Sequence, residues 1–228
     1  MEKTHYQMSE SFLIATLLAS VGGFLDAYSY VCRDHVFANA QTGNVVKLGM
    51  AIAQGDILQA IKYLIPIIAF GCGVFLTMIL KNKYADKKWH WRQVVLMIEM
   101  MIVILVSIIP IGPYNVIVHV MISFLCAMQA ECFKKVLGSP FSSTMCTGNL
   151  RSSVENLYEV MVQKNQKSLM KSIRYILIIC FFIFGVIVGV WLTYYFDKDA
   201  ILFCLIPIMC SLLAMFEIHC FYHHNKVK

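Results

Sequence analysis

The tripeptide Thr-Gly-Asn occurs twice in this chain, at residues 42–44 and 147–149, and an acidic residue precedes each copy by 16 positions. These acids are Asp26 and Glu131. Hydroxyl and amide side chains can cap a helix N-terminus, and glycine lets backbone amides approach a ligand. Two helix N-termini that face each other favour an anion. The pattern therefore predicts a paired polar site, with the acids available for substrate or proton coupling.

The candidate binding and coupling residues are small or polar and lie within or between apolar stretches. They are Asp26, Asn39, Gln41, Thr42, Gly43, Asn44, Glu99, Gln129, Glu131, Thr144, Thr147, Gly148 and Asn149. The alternative for the two segments is that they satisfy irregular backbone at membrane depth. For Asp26 the alternative is a structural acid that caps an unwound turn or pairs with Arg33. For Glu131 it is a surface ion pair with Lys134 or Lys135.

Other motifs indicate anchoring rather than chemistry. The C-terminal residues His219, Cys220, His223 and His224 suit either a metal ion or an interfacial anchor, and we expect the anchor. The stretch "KWHWR" from Lys88 predicts an aromatic belt, and Glu217 is expected near a span end. No hydrolase, zinc-protease or phosphate-loop motif is present, so neither an enzyme nor a cofactor is predicted.

The composition is that of a membrane protein. Of 228 residues, 59% are hydrophobic and 14% are charged, against about 45–50% apolar and about 25% charged in soluble domains. The net charge of +6 comes from short loops, so nucleic acid is excluded as a partner and the lipid bilayer is expected. The nine cysteines contain no Cys-x-x-Cys pair and are expected to be small buried hydrophobes.

Six apolar runs are long enough to cross a bilayer, which takes about 20 residues. They are residues 11–31, 57–80, 94–111, 114–133, 168–196 and 200–221. The first run is expected to be an uncleaved span rather than a signal peptide. With a cytoplasmic N-terminus, 15 of the 19 Lys and Arg residues lie on inside segments. The positive-inside rule therefore predicts six spans with both termini cytoplasmic.

An internal repeat divides the chain into halves of opposite orientation. A shift of 105 residues superposes the two Thr-Gly-Asn copies, "IKYLI" matches "IRYIL" at a shift of 112, and "GVFLT" matches "GVWLT" at 116. Each half contains three spans, an odd number, so the halves must insert in opposite orientations. A single membrane domain, residues 1–228, is predicted, with repeats at about 8–112 and about 113–225. Gly71, Gly73, Gly185 and Gly189 are expected to permit close helix packing.

Two blocks carry a resemblance to a known family: "GGFLDAYSYVCRDHVFANAQTGNVV" and "AMQAECFKKVLGSPFSSTMCTGNLR". They resemble the YoaK family of bacterial multi-pass membrane proteins, which is defined by a domain of unknown function. The resemblance covers nearly the whole chain and implies a bacterial cytoplasmic-membrane protein, without supplying an activity. Many relatives have Asn after the glutamine, whereas here Gln129 is followed by Ala130.

These patterns together predict an all-α integral membrane protein with six transmembrane helices. Two short re-entrant or interfacial helices are added to them: one at residues 44–54, and a more polar one after the second Thr-Gly-Asn. Inverted repeats of this kind are common in secondary transporters. We expect secondary transport of a small polar or anionic solute. The alternatives are a non-transport scaffold or regulator, and an intramembrane enzyme that would use His119 or an embedded acid. A homo-oligomer is left open.

Overall fold

The protein is a bundle of α-helices joined by short connections. The computed structural model describes residues 7–84 and 91–225, with side chains to residue 216. The helices of these ranges are α1 Phe12–Cys32, α2 Gln41–Ala53, α3 Ile57–Tyr84, α4 Trp91–Ile108, α5 Asn115–Cys132, α6 Cys146–Gln163, α7 Gln166–Phe196 and α8 Leu205–Asn225. The side chains of the C-terminal His and Cys motif and of Glu217 lie outside the described residues, as do Lys88 and the two residues after it, whereas Trp91 and Arg92 of the "KWHWR" stretch are described.

Five stretches of the described chain are long and apolar enough to cross a membrane. Four of them are α1, α3, α4 and α5. The fifth is a 51-residue stretch, Gln166–Phe216, which contains α7, a 3-10 helix at Asp197–Cys204 and most of α8. The expected all-α membrane architecture is therefore supported. The first residues of the sixth expected run, 200–204, belong to this 3-10 helix, and the α-helix of that run starts only at Leu205.

Both expected short helices are present, and each begins before the position that the sequence predicted. Helix α2 has 13 residues and starts at Gln41 rather than at Asn44. At 1.5 Å per residue it is about 20 Å long, too short to cross a hydrocarbon core of about 30 Å. Helix α6 has 18 residues, most of them exposed, and is followed by Lys164, which has a left-handed backbone.

A small β-hairpin was not expected from the sequence. Strand β1, Lys135–Val136, pairs antiparallel with β2, Ser139–Pro140, so the chain departs locally from an all-helical pattern. The two turn residues, Leu137 and Gly138, both have positive φ, as a tight two-residue hairpin requires. The hairpin leads into the segment that precedes α6.

Close helix packing depends on glycine at three of the four expected positions. Helix α1 packs along α7, and α3 packs along α5. A Cβ atom at Gly73 would lie 2.6 Å from the Phe124 carbonyl oxygen, and one at Gly185 would collide with the carbonyl oxygen of Ser20. A Cβ atom at Gly189 would lie 3.0 Å from Ala27 Cβ and 3.1 Å from Phe24 Cα, which is a tight contact but a milder one. The expectation for Gly71 was wrong, because nothing lies within 4 Å of a Cβ atom there.

Replacing Gly185 by alanine tests this packing. Because the clash is with backbone rather than with a flexible side chain, Gly185→Ala is expected to destabilise the protein by about 1–3 kcal/mol. Thermal unfolding of the purified protein in detergent measures the effect. Gly71→Ala is the matched control and should cause no loss, since its Cβ enters open space. Equal melting temperatures for the two variants would contradict the close α1–α7 contact.

Candidate functional site

The segments that precede α2 and α6 meet in the interior of the protein. Asn39, just before α2, donates from Nδ2 to the carbonyl oxygen of Thr144, just before α6, at 2.9 Å. The same Nδ2 lies 3.4 Å from Asp26 Oδ2, and the backbone N–H of Asn39 donates to Asp26 Oδ1 at 3.2 Å. All three residues are buried. One amide thus joins an acid of α1 to both polar segments.

Asp26 accepts hydrogen bonds from Asn39, in the segment that follows α1, and forms no ion pair with Arg33. The buried guanidinium of Arg33 donates instead to the Tyr28 hydroxyl and Asn115 Oδ1, and to the carbonyl oxygens of Ile109 and Pro110. The alternative that Asp26 pairs with Arg33 was therefore wrong. Arg33 instead joins the end of α1 to the connection between α4 and α5, where it donates to two backbone carbonyl groups just after the end of α4.

Around the first segment, Gln41 and Asn44 bond to near neighbours. Gln41 Nε2 donates to the carbonyl oxygen of Ala38 at 2.9 Å and to Ser123 Oγ of α5 at 3.1 Å. Asn44 Nδ2 donates to Gln41 Oε1 at 3.1 Å. Ser123 Oγ also donates to the Ala38 carbonyl at 2.6 Å. These bonds satisfy irregular backbone at the start of α2, as the structural alternative predicts.

The second segment is held in a comparable way by Gln129 and Asn149. Gln129 Nε2 donates to the Leu18 carbonyl of α1 at 3.0 Å and to Ser143 Oγ at 2.9 Å. Asn149 accepts from the backbone N–H of Ser142 at 3.1 Å and donates to the Ser142 carbonyl at 2.6 Å. Both side chains are buried, so the amide of Gln129 has a structural role.

The Thr and Gly residues of the two tripeptides do not join this cluster. Thr42 and Thr147 are exposed on the first turns of α2 and α6, and a Cβ atom at Gly43 or Gly148 would meet nothing within 4 Å. The expectation that Thr or Asn caps these helices was wrong. The residues at the cap positions are Ala40 and Met145, and neither side chain makes a capping hydrogen bond.

The remaining acids differ sharply in environment. Glu131 forms an ion pair with Lys134, three residues along the chain, as the surface-pair alternative predicts. Glu99 of α4 is fully buried, and neither carboxyl oxygen has a hydrogen-bond partner among the described residues. An uncompensated buried charge costs several kcal/mol, so Glu99 requires a proton or a bound cation.

Two serines of the site, Ser123 and Ser143, were not predicted from the sequence. Arg33 was considered only as a partner of Asp26, and its contacts with the α4–α5 connection were not predicted. Ser123 and Ser143 connect α5 to the two segments through hydroxyl contacts. The repeat offered a signal for Ser143, since a shift of 105 places it on Ala38, which Ser123 contacts. His119, named for a catalytic alternative, is buried and its Nε2 lies 2.6 Å from the Arg33 carbonyl oxygen.

The fold and the buried polar segments define a polytopic α-helical membrane protein. The chain belongs to the family described as "Protein of unknown function (DUF1275)", whose sequence model matches residues 14–215. It is similar to the UPF0700 transmembrane protein YoaK of Bacillus subtilis (strain 168), with 29% identity over 158 residues, which cover 68% of this chain and 70% of the relative. These matches confirm the expected family. No solved structure matches.

Replacing Asn39 by leucine tests the link between the segments. Asn39→Leu is close in size but removes the side-chain N–H groups that donate to Asp26 and Thr144, so it leaves a buried carboxylate and a carbonyl with fewer partners. We expect a loss of about 2–4 kcal/mol and a fall in melting temperature of roughly 4–16 °C. Scanning fluorimetry in detergent measures it. The control is Thr42→Val at an exposed position, and an equally small change in both variants would contradict the link.

Proposed function

We propose that this protein is a secondary transporter of a small polar or anionic solute, built from two inverted three-span repeats. The observation that carries the proposal is the contact from Asp26 through Asn39 to Thr144. It brings an intramembrane acid and the starts of two short helices to one buried point. Solute and coupling-ion sites of inverted-repeat transporters lie where interrupted helices meet near the midplane.

The packing of helices supports the inverted repeat. Exchanging the halves maps α1 onto α5, α2 onto α6, α3 onto α7 and α4 onto α8. Under this exchange the pair α1–α7 becomes α5–α3, α2–α3 becomes α6–α7, and α4–α5 becomes α8–α1, and all of these pairs are in contact. Asn39 and Thr144 are themselves separated by 105 positions, the shift of the repeat. Equivalent positions contact each other at a two-fold axis.

Six spans follow if the 51-residue stretch crosses the membrane twice. As one continuous helix it would be about 75 Å long, more than twice the thickness of the hydrocarbon core. The 3-10 helix at Asp197–Cys204 contains two acids and a lysine and supplies a place for the chain to return. We further propose insertion in the bacterial cytoplasmic membrane with both termini inside, on the distribution of Lys and Arg.

The groups proposed to bind the solute are the backbone N–H groups at the N-termini of α2 and α6. The first N–H groups of a helix have no partner within it, and neither Ala40 nor Met145 provides a side-chain cap. Such groups favour an anionic or strongly polar ligand. Asp26 is proposed as a site or coupling acid, with Glu99 as a second one. The alternatives are a membrane scaffold or regulator and, with less support, an intramembrane enzyme.

Topology is tested by introducing single cysteines at the two short helices. Lys47→Cys in α2 should react with a membrane-impermeant maleimide from outside intact cells, and Arg151→Cys in α6 only after the membrane is opened. The exposed side chain of Arg151 forms an ion pair with Glu155, so its replacement costs little stability. The unsubstituted protein sets the background labelling. Labelling of both positions from the same side would contradict the inverted repeat.

Transport is tested by finding the solute and then by removing the acid. Metabolites of cells that lack the protein are compared with those of cells that overproduce it, and the solute that changes is supplied to proteoliposomes. Flux should be saturable, and Asp26→Asn should lower it about tenfold or more while the protein remains in the membrane, equivalent to at least about 1.4 kcal/mol.

The matched control for transport is Asp34→Asn. Asp34 is exposed and has a left-handed backbone that asparagine adopts readily, so its flux should be unchanged. Full activity of Asp26→Asn would remove Asp26 from the mechanism. No flux for any solute, together with a stable partner recovered on pull-down, would favour the scaffold or regulator.

A further inference from the structure

A groove with apolar walls lies between α4 and α5, near the connection that joins them. Its volume is about 540 Å³. Leu105 and Ile108 of α4 form one wall, and Ile117 and Met121 of α5 form the other. None of the candidate binding and coupling residues lines it. The groove is therefore separate from the buried polar cluster, and the proposed transport does not use it.

Hydrogen bonds from Arg33 fix the connection at this end of the groove. Ile109 and Pro110 also line the groove, and their carbonyl oxygens accept from the guanidinium at 2.9 and 3.0 Å. Asn115 Oδ1 accepts from Arg33 at 3.1 Å and from the backbone N–H of Gly112 at 3.2 Å. A shift of the connection that closed the groove would break these bonds, each of which contributes to stability. The groove is therefore a built part of the fold.

The groove lies on the surface that faces the membrane. Both helices are long and apolar enough to span a bilayer, and the side chains of Leu105, Ile108 and Ile117 are exposed. Along α5 the lining extends from Tyr114 to Met121, which is about 10 Å at 1.5 Å per residue. One leaflet of a hydrocarbon core of about 30 Å is about 15 Å deep. The groove therefore begins near a span end and stays within one leaflet.

The lining favours a hydrocarbon chain over a polar solute. Tyr114 carries its one polar side chain, and no charged residue contributes to it. Tyrosine is common at the membrane interface, where its ring lies in an apolar region and its hydroxyl meets polar groups. A flexible chain can follow such a groove and gain dispersion contacts with both walls. A ligand that fits has an apolar chain between the walls and its polar end beside Tyr114.

A second copy of the protein fits this surface less well than a lipid does. A symmetric dimer brings the same patch of both subunits together. Two concave grooves that face each other leave unfilled volume between them, and close-packed protein interiors contain few such voids. A lipid chain is flexible and is present at this depth of any bilayer, so it can fill the groove.

We propose that the groove between α4 and α5 binds one acyl chain of a phospholipid from the surrounding leaflet. The chain lies between the two walls, with its ester end beside Tyr114 and its methyl end towards Met121. Because no charged side chain lines the groove, binding depends on the chain and not on the head group. The site requires only that the protein lies in a membrane, so it stands or falls independently of the proposed transport.

Phospholipid binding by the purified full-length protein tests the site. The delipidated protein in detergent is titrated with dioleoyl phosphatidylglycerol or dioleoyl phosphatidylcholine, and native mass spectrometry counts the bound molecules. We expect one saturable site, with Kd values for the two lipids that agree within about threefold. The dihexanoyl lipids should bind about tenfold or more weakly, because a short chain leaves part of the groove unfilled.

Three results of this titration would overturn the proposal. The first is the absence of a saturable site. The second is equal binding of short and long chains, since the chain would then not be what is recognised. The third is a strong preference for phosphatidylglycerol, which would assign binding to a basic surface elsewhere on the protein.

Tryptophan substitutions assign the lipid to the groove. Ile117→Trp combined with Met121→Trp narrows the groove from the α5 wall and should weaken binding of the dioleoyl lipids about tenfold or more. The matched control is Ile183→Trp combined with Ile187→Trp, two exposed side chains of α7 with the same spacing, and it should bind like the wild type. Equal affinities for the two double variants would contradict the assignment. Should the groove variant fail to fold, the chain-length comparison on the wild type decides whether the site exists.

Photocrosslinking in cells distinguishes a lipid from a protein occupant. With p-benzoylphenylalanine in place of Ile117, illumination should give mainly a phospholipid adduct of the single chain, identified by mass spectrometry after digestion. A crosslinked pair of copies as the main product would make the groove a dimer contact and overturn the proposal. A main product with a different protein would overturn it in the same way.

Discussion

The structure depends on one constraint: two stretches of irregular backbone must be satisfied inside a protein built for lipid. Water is absent from the hydrocarbon core, so every free N–H and C=O there needs a partner from the protein. Asn39 and Asp26 together meet this need. The Asn39 side-chain amide donates to the Thr144 carbonyl of the second stretch, and the Asp26 carboxylate accepts from the backbone N–H of Asn39 in the first. Asp26 in turn is tolerated in the interior because that amide and the Asn39 backbone donate to it.

The polar residues were interpreted either as structural or as ligand-binding, and each interpretation fits a different set of their atoms. Asn44, Asn149 and the amide nitrogens of Gln41 and Gln129 are occupied with nearby protein groups, as a structural role requires. The oxygens of Asn39, Gln129 and Glu99 are not occupied. A purely structural network would leave few such atoms, since each costs stability. Those oxygens, and not the Thr-Gly-Asn tripeptides themselves, are therefore where a ligand is expected.

Long periodic features were predictable from sequence, and contacts between distant residues were not. Apolar runs located α1, α3, α4 and α5 to within a few residues, and the two short helices were expected from Gly and Asn between those runs. The partner of Arg33 could not be predicted, because the carbonyls it contacts carry no side-chain signal. Gly71 and Gly73 look alike in sequence, yet they face opposite sides of α3, and only Gly73 contacts α5.

The central claim is that Asp26 and Asn39 act as one unit, and a double-mutant cycle measures this coupling directly. Unfolding free energies are needed for the wild type, Asp26→Asn, Asn39→Ala and the double variant. If the carboxylate and the amide are bonded as described, the double variant should lose less stability than the sum of the single losses, by at least about 1 kcal/mol. Losses that add to within about 0.5 kcal/mol would contradict the account, since additivity is the behaviour of residues that do not touch.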